Sequence, residues 1–227
     1  IAVRYANGRR RKLWGMRILK AYEEAQELLI RIQERLPGST LAERAGMSLA
    51  DYYFSQREMR LAADAYDLFI ENYPRSPGVS KARLRLIYAY LASFKGPEFD
   101  GSGLIEARGA IRTLEIAEPA TAQQIGADAL LVRIDESIAA KLLVQAKWYA
   151  KSGDPVAAEL CLRRLISRYP RSIAARDGAM LGVEIVARLP ERIASAAPDY
   201  AAFLAAPPAD RAAEDRPGMP GIDAPGG

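Results

Sequence analysis

Side chains that exchange protons, attack carbonyls or hold metals are scarce in this 227-residue chain, which has one cysteine, Cys161, and no histidine. That excludes an internal disulfide, a Cys-x-x-Cys redox pair, the usual Cys/His zinc sites and any histidine-dependent triad. Carboxylates remain. Glu23/Glu24 and Asp135/Glu136 are adjacent pairs, and neighbours on a helix point apart, so they read as solvated faces rather than an acid and its base. "GPEFDGSG" sets Glu98 and Asp100 among glycines. It lacks the alternating ligands and distal glutamate of a calcium loop, and the strand-to-helix context of a phosphate loop, so it reads as a structural insertion. Cys161 stands between Leu160 and Leu162 in an apolar pattern and is expected to be a buried, inert thiol. No catalytic, cofactor or metal role is assigned to any residue, and the chain reads as a binder rather than an enzyme.

Charge gives one further candidate. Lys plus Arg number 32 against 28 acidic residues, for a net +4 and a pI near 9.2, a mild bias that permits nucleic acid without demanding it. The cations concentrate in "RRRKLWGMRILK", where Arg9, Arg10, Arg11 and Lys12 stand beside Leu13, Trp14, Met16 and Ile18. Two readings stay open there: a solvated loop whose Trp14 tucks inward, or a contact surface for anionic headgroups or a partner. RNA clamping by phosphate neutralisation and stacking is disfavoured, because the other aromatics sit at packing positions.

The elements that carry these residues announce themselves by repetition. "NYPRSPGVSKA" and "RYPRSIAARDG" lie ninety-six residues apart, and the same offset pairs Ala50 with Ala146, Tyr53 with Tyr149 and Ala62 with Ala158. A wider pattern of Ala, then a bulky apolar residue four later, then Pro after eight more occurs four times: Ala25/Leu29/Pro37, Ala62/Tyr66/Pro74, Ala107/Ile111/Pro119 and Ala158/Leu162/Pro170. Small Ala permits close helix crossing, the residue four later shares its face, and Pro ends the helix. A preceding helix registers as Ala2/Tyr5, Ala50/Tyr53, Ile87/Tyr90 and Ala146/Tyr149. The unit is a helix pair, and the basic segment and "FKGPEFDGSG" lengthen the turns inside the first and third pairs.

Between Pro119 and Tyr149 the periodicity predicts one continuous helix over about 121–151, with Leu130, Leu131, Ile134, Ile138, Leu142 and Trp148 on related faces. Ser76-Pro77 and Asp154-Pro155 predict capped helix starts with Pro at the first helical position. A last helix is expected from Ser172 to about Leu189, and nothing reads as a strand. The expected domains are a repeat array over 1–190 with its first helix truncated, a short helical extension over 191–205, and a disordered Pro/Gly/Ala-rich tail over 206–227. Ile1 rather than Met leads, so an upstream segment is expected. No stretch approaches the eighteen apolar residues of a membrane span.

Leu49-Ala50-x2-Tyr53, Ala62-x3-Tyr66 and Pro74 resemble the tetratricopeptide repeat, which implies an all-α, right-handed superhelical solenoid whose function is not set by its fold. The order of "YEEAQELLIRIQERLPGST", "DYYFSQREMRLAADAYDLFIENYPRSP", an insert-bearing third pair and "VQAKWYAKSGDPVAAELCLRRLISRYPRS" resembles the BamD (ComL/YfiO) outer-membrane assembly lipoproteins over residues 20–188. That resemblance implies a lipid-anchored scaffold on the periplasmic face of the outer membrane. Its partners would be a POTRA-bearing barrel-assembly protein and unfolded β-barrel substrates. The alternative is a tetratricopeptide adaptor for another envelope or cytoplasmic complex, such as one coordinating wall synthesis.

If the array forms the family's concave groove, first-helix residues one or two turns from the packing Tyr face it. The register picks Arg44, Met47, Asp51 and Phe54 in the second pair, Lys81, Leu84, Tyr88 and Leu91 in the third, and Lys147 and Lys151 in the fourth. Such a mixture suits an extended peptide with apolar and acidic features.

Overall fold

The computed structural model describes residues 10–13, 16–20 and 22–206, with side chains from Gln26 onward. Ala2, Tyr5, Arg9, Trp14, the Ala25 side chain and the segment from Pro207 lie outside the described residues. Arg10, Arg11 and Lys12 are placed by their backbone alone.

Helices dominate. They are α1 Tyr22–Arg35, α2 Thr40–Ser55, α3 Met59–Asn72, α4 Val79–Ser93, α5 Ser102–Ala117, α6 Pro119–Gln124, α7 Ala127–Lys151, α8 Pro155–Arg168 and α9 Ile173–Val186, then the short α10 Glu191–Ala194 and α11 Tyr200–Ala205. The chain forms two compact units, divided within α7 between Lys141 and Leu142. In the first, each helix from α1 to α5 packs on its successor, and α5 packs on α6; in the second, α8 packs on α9 and α9 on α11. The fold is all-α and built of consecutive helix pairs.

One element departs from the expected absence of strands. β1 Arg10–Leu13 pairs antiparallel with β2 Met16–Lys20, Arg10 opposite Lys20 and Arg11 opposite Leu19. A four- or five-residue run matches a period of 2 nearly as well as one of 3.6, so short hairpin strands leave little trace in a sequence. Arg10–Leu13 and Met16–Lys20 of the basic segment therefore form an antiparallel strand pair ahead of α1.

The small-then-bulky pattern has a packing basis. Ala62, Ala107 and Ala158 are fully buried, and so are Tyr66, Ile111 and Leu162 four residues on, with Leu29 alike. Among the described residues of the first unit two apolar clusters result. One gathers Leu29, Ala45, Leu49, Tyr53, Ala62, Tyr66 and Phe69, and the other Ile87, Leu104, Ala107, Ile111, Leu114, Leu131 and Ile134. Tyr53 is buried, whereas Tyr90 and Tyr149 are half-buried.

The ninety-six-residue offset extends to individual hydrogen bonds. Gln56 N donates to Tyr52 O and Glu58 N to Tyr53 O after α2; Ser152 N donates to Trp148 O and Asp154 N to Tyr149 O after α7. Tyr73 N to Phe69 O is matched by Tyr169 N to Leu165 O, and Ser76 N to Tyr73 O by Ser172 N to Tyr169 O. Pro74 and Pro170 occupy the same place in these turns, as Pro37 does after α1. The shared turn also demands a left-handed residue: Gly153 takes φ +81, and at the equivalent position Arg57 takes φ +62. A side chain in that region costs roughly 1–2 kcal/mol, offset in part by glycine's freedom in the unfolded chain. Arg57→Gly should therefore raise stability by about 0.5–1 kcal/mol in equilibrium unfolding; a loss of stability would contradict the turn assigned here.

Four boundaries differ from expectation. The helix expected over 121–151 breaks at Gly126, whose φ of +66 ends α6 with Gly126 N bonded to Gln123 O, a glycine stop that periodicity alone does not show. Pro119 does not merely follow a helix but opens α6 as its first residue. Asp154 caps α8 through Ala157 N at 2.9 Å, and Ser172 caps α9 through Ala175 N at 3.0 Å. Ser76 caps nothing: its hydroxyl donates to Glu43 Oε1 at 2.6 Å and accepts from Gly78 N at 3.0 Å, so α4 starts only at Val79. α9 ends at Val186 rather than near Leu189.

Trp148 lies off the packing face, 61 % exposed, and Cys161 is half-buried rather than fully buried, its thiol pushed up by burial against the opposing pull of Arg164. The junction of α5 and α6 is held by Glu118, which accepts from Arg83 at 2.6 Å. Burial pushes its carboxyl up, but hydrogen bonds from Arg83, Ser80 and Thr121 outweigh this and hold it below the usual value. A depressed carboxylate stabilises the fold above its unfolded pKa, and that contribution is lost as pH falls through the folded value. Glu118→Gln should flatten this acid limb of the unfolding midpoint, whereas an unchanged limb would remove Glu118 from it.

Candidate functional site

The expected groove residues on α2 and α4 fall on two stripes with the same spacing, each stepping by three, four and three: Arg44, Met47, Asp51, Phe54 and Lys81, Leu84, Tyr88, Leu91. That spacing keeps each stripe on one helical face. The structure joins the two. Lys81 Nζ lies 2.6 Å from Asp51 Oδ2, and the Arg85 guanidinium sits 4.7 Å from the centroid of the Phe54 ring. Behind them Tyr66 donates to Asp51 Oδ1 at 2.6 Å and meets Phe54 edge-on at 6.3 Å.

The stripes divide by exposure. Arg44 and Lys81 are exposed, whereas Met47, Asp51, Phe54, Leu84, Tyr88 and Leu91 are half-buried. Met47 and Phe54 pack against the first apolar cluster, and Leu84 and Leu91 against the second. Much of the apolar surface assigned to a ligand is thus already in contact with the core. The exposed part is polar and mixed in charge, with Asp51 shared between Tyr66 and Lys81.

Arg85 was missed by the register, although its place four residues after Lys81 sets it on the neighbouring flank of the same helix. Tyr66 was read as a packing residue only; its hydroxyl also orients Asp51. Burial raises the Tyr66 phenol well above its ordinary pKa, with the Asp51 bond and charge adding to the rise.

Lys147 and Lys151 are exposed on the part of α7 that belongs to the second unit, flanking Trp148, whose ring meets Tyr149 at 4.9 Å. Asp135 pairs with Arg108, and among the described residues no group of three or more His, Cys, Asp or Glu could hold a metal. In "GPEFDGSG", Asp100 accepts from Ser102 N at 3.1 Å and from Arg60 at 2.5 Å, bonds that hold it below its ordinary value, Ser102 contributing most. Lys141 donates to Phe99 O. These contacts tie the insertion down, as a structural loop requires.

A shallow cavity of about 240 Å³ lies between α3, α4 and α5, lined by Arg60, Asp64, Tyr90, Ser93, Ser102 and Glu106 among others. It is smaller than the usual ligand pocket of roughly 300–1,000 Å³.

A family model described as outer membrane lipoprotein, YfiO, matches residues 18–197. No curated protein matches the chain. No helix among the described residues is long and apolar enough to cross a membrane.

Proposed function

The chain belongs to the YfiO family of outer membrane lipoproteins, and from that membership we propose that it is a BamD-like, non-enzymatic scaffold. In this reading it assists the assembly and insertion of β-barrel proteins from the periplasmic face of the outer membrane, held there by a lipid anchor. Its partners are a POTRA-bearing barrel-assembly protein and unfolded β-barrel segments. The observation that supports a binding role most directly is the joined pair of stripes on α2 and α4. Exposed Arg44 and Lys81 give charge selection, and half-buried Met47, Phe54 and Tyr88 give apolar contact, a combination suited to extended peptide.

Lys81→Glu tests this surface. The Asp51–Lys81 pair is half-exposed, so losing it and facing Asp51 with a like charge should change folding stability by no more than about 2 kcal/mol. Complementation of a depleted strain should nevertheless fall several-fold, read as the amount of folded barrel protein in the outer membrane. Full complementation by a normally expressed Lys81→Glu protein would count against these stripes as the working surface. Unchanged barrel levels on depletion of the protein itself would count against the assembly role.

A further inference from the structure

In the second unit the outward face of α8 carries cations and no carboxylate. Arg164 and Arg168, four residues apart, are exposed, and Leu160 and Val156 continue the face at 65 % and 39 % exposure. Arg171 follows, exposed, in the turn after the helix. None of the three arginines forms an ion pair with another described residue. The single acid of α8, Glu159, is turned inward, where it accepts from Arg163 at 2.9 Å and from the Tyr200 hydroxyl at 3.3 Å. Unneutralised cations beside exposed aliphatics favour an acidic segment with small apolar residues.

The chain carries such a segment nearby. Residues 207–227 contain Asp210, Glu214, Asp215 and Asp223 against Arg211 and Arg216, among Ala, Pro, Met219 and Ile222. They follow directly on Ala206, at the end of α11, and α11 is fastened to this unit. The Tyr200 ring fills the space a Cβ on Gly182 would enter, with ring carbons only 2.6 Å away, and its hydroxyl reaches Glu159 next to Leu160. From Ala206, four to nine residues at up to about 3.5 Å each reach roughly 14–30 Å. Leu160 to Arg168 spans only about 12 Å of helix. A tether this short holds the two at millimolar effective concentration, so a weak contact is enough.

We propose that the segment Asp210–Asp215 docks on the α8 face formed by Leu160, Arg164, Arg168 and Arg171 of its own chain. The contact does not depend on the barrel-assembly role.

The test uses the full chain, nitrogen-15-labelled, with Cys161→Ser and a nitroxide on Gly218→Cys. Paramagnetic broadening should be concentrated on the amides of residues 160–168. It should fall at least threefold in about 0.5 M NaCl, where screening lengths drop below roughly 5 Å, and at least threefold in D210K/E214K/D215K, which leaves every described residue intact. Broadening spread evenly over residues 142–206, or unchanged by the tail substitutions, would overturn the proposal. So would anionic phospholipid vesicles perturbing the same amides equally with the native and the charge-reversed tail, since the face would then belong to lipid.

Discussion

Replacing Tyr66 by Ala is expected to destabilise the first unit by about 3–5 kcal/mol, and by Phe only about 1–2. The ring is fully buried between α2 and α3, edge-on to Phe54, so its removal leaves a cavity amid the first apolar cluster. The hydroxyl adds a bond to Asp51 that Phe lacks. Urea unfolding followed by circular dichroism reads both losses; a Phe variant as unstable as the Ala variant would mean that the hydrogen bond, not the packing, holds α3. Alkaline titration gives an independent check. The phenol is raised in the folded state, so its contribution is complete below the unfolded pKa of about 10 and is lost as pH rises beyond it. Tyr66→Phe should weaken that dependence, leaving the part supplied by Tyr53 and Tyr90, whose phenols burial also raises.

Gly182→Leu is expected to cost the second unit about 3 kcal/mol by expelling Tyr200. A Cβ at this position would stand 2.6 Å from two carbons of the Tyr200 ring and 2.8 Å from a third. Glu159 would lose the Tyr200 bond and keep only Arg163. Tyr200→Ala removes the same contact from the other side. The double variant should therefore be little worse than either single, because contacting residues are non-additive. Full additivity would show that Gly182 acts on something other than Tyr200.

What could be read from the sequence was what repeats. The Ala-to-bulky spacing of four appears three times in fully buried pairs, from Ala62/Tyr66 to Ala158/Leu162, because close crossing and a shared face leave few residue types that fit. The helix pairs were legible for that reason, and so was the Asp154 cap, whose residue type and proline neighbour announce it. Gly126 was not, since an isolated glycine inside an apolar pattern gives no sign of its φ. Ser76 misled because capping depends on competition: Glu43 and Gly78 take its hydroxyl first. The strand pair of β1 and β2 is too short for a period to declare itself.

The candidate surface was legible as two stripes but not as a joined one. Contacts between helices thirty residues apart, such as Asp51 with Lys81, depend on crossing geometry that the helical period does not encode. For the same reason the register could not show that Leu84 and Leu91 turn toward the second apolar cluster. Nor could it foresee that Tyr200, in a short helix with little pattern of its own, would fill the space beside Gly182.

The most direct measurement is cross-linking of the full-length protein in its native cell envelope, with linked peptides identified by mass spectrometry. Links are expected to the POTRA domains of a barrel-assembly protein and, from the α2 and α4 stripes, to unfolded barrel segments. Links confined to wall-synthesis enzymes or to ribonucleoprotein would leave the helix pairs standing and contradict the assembly role.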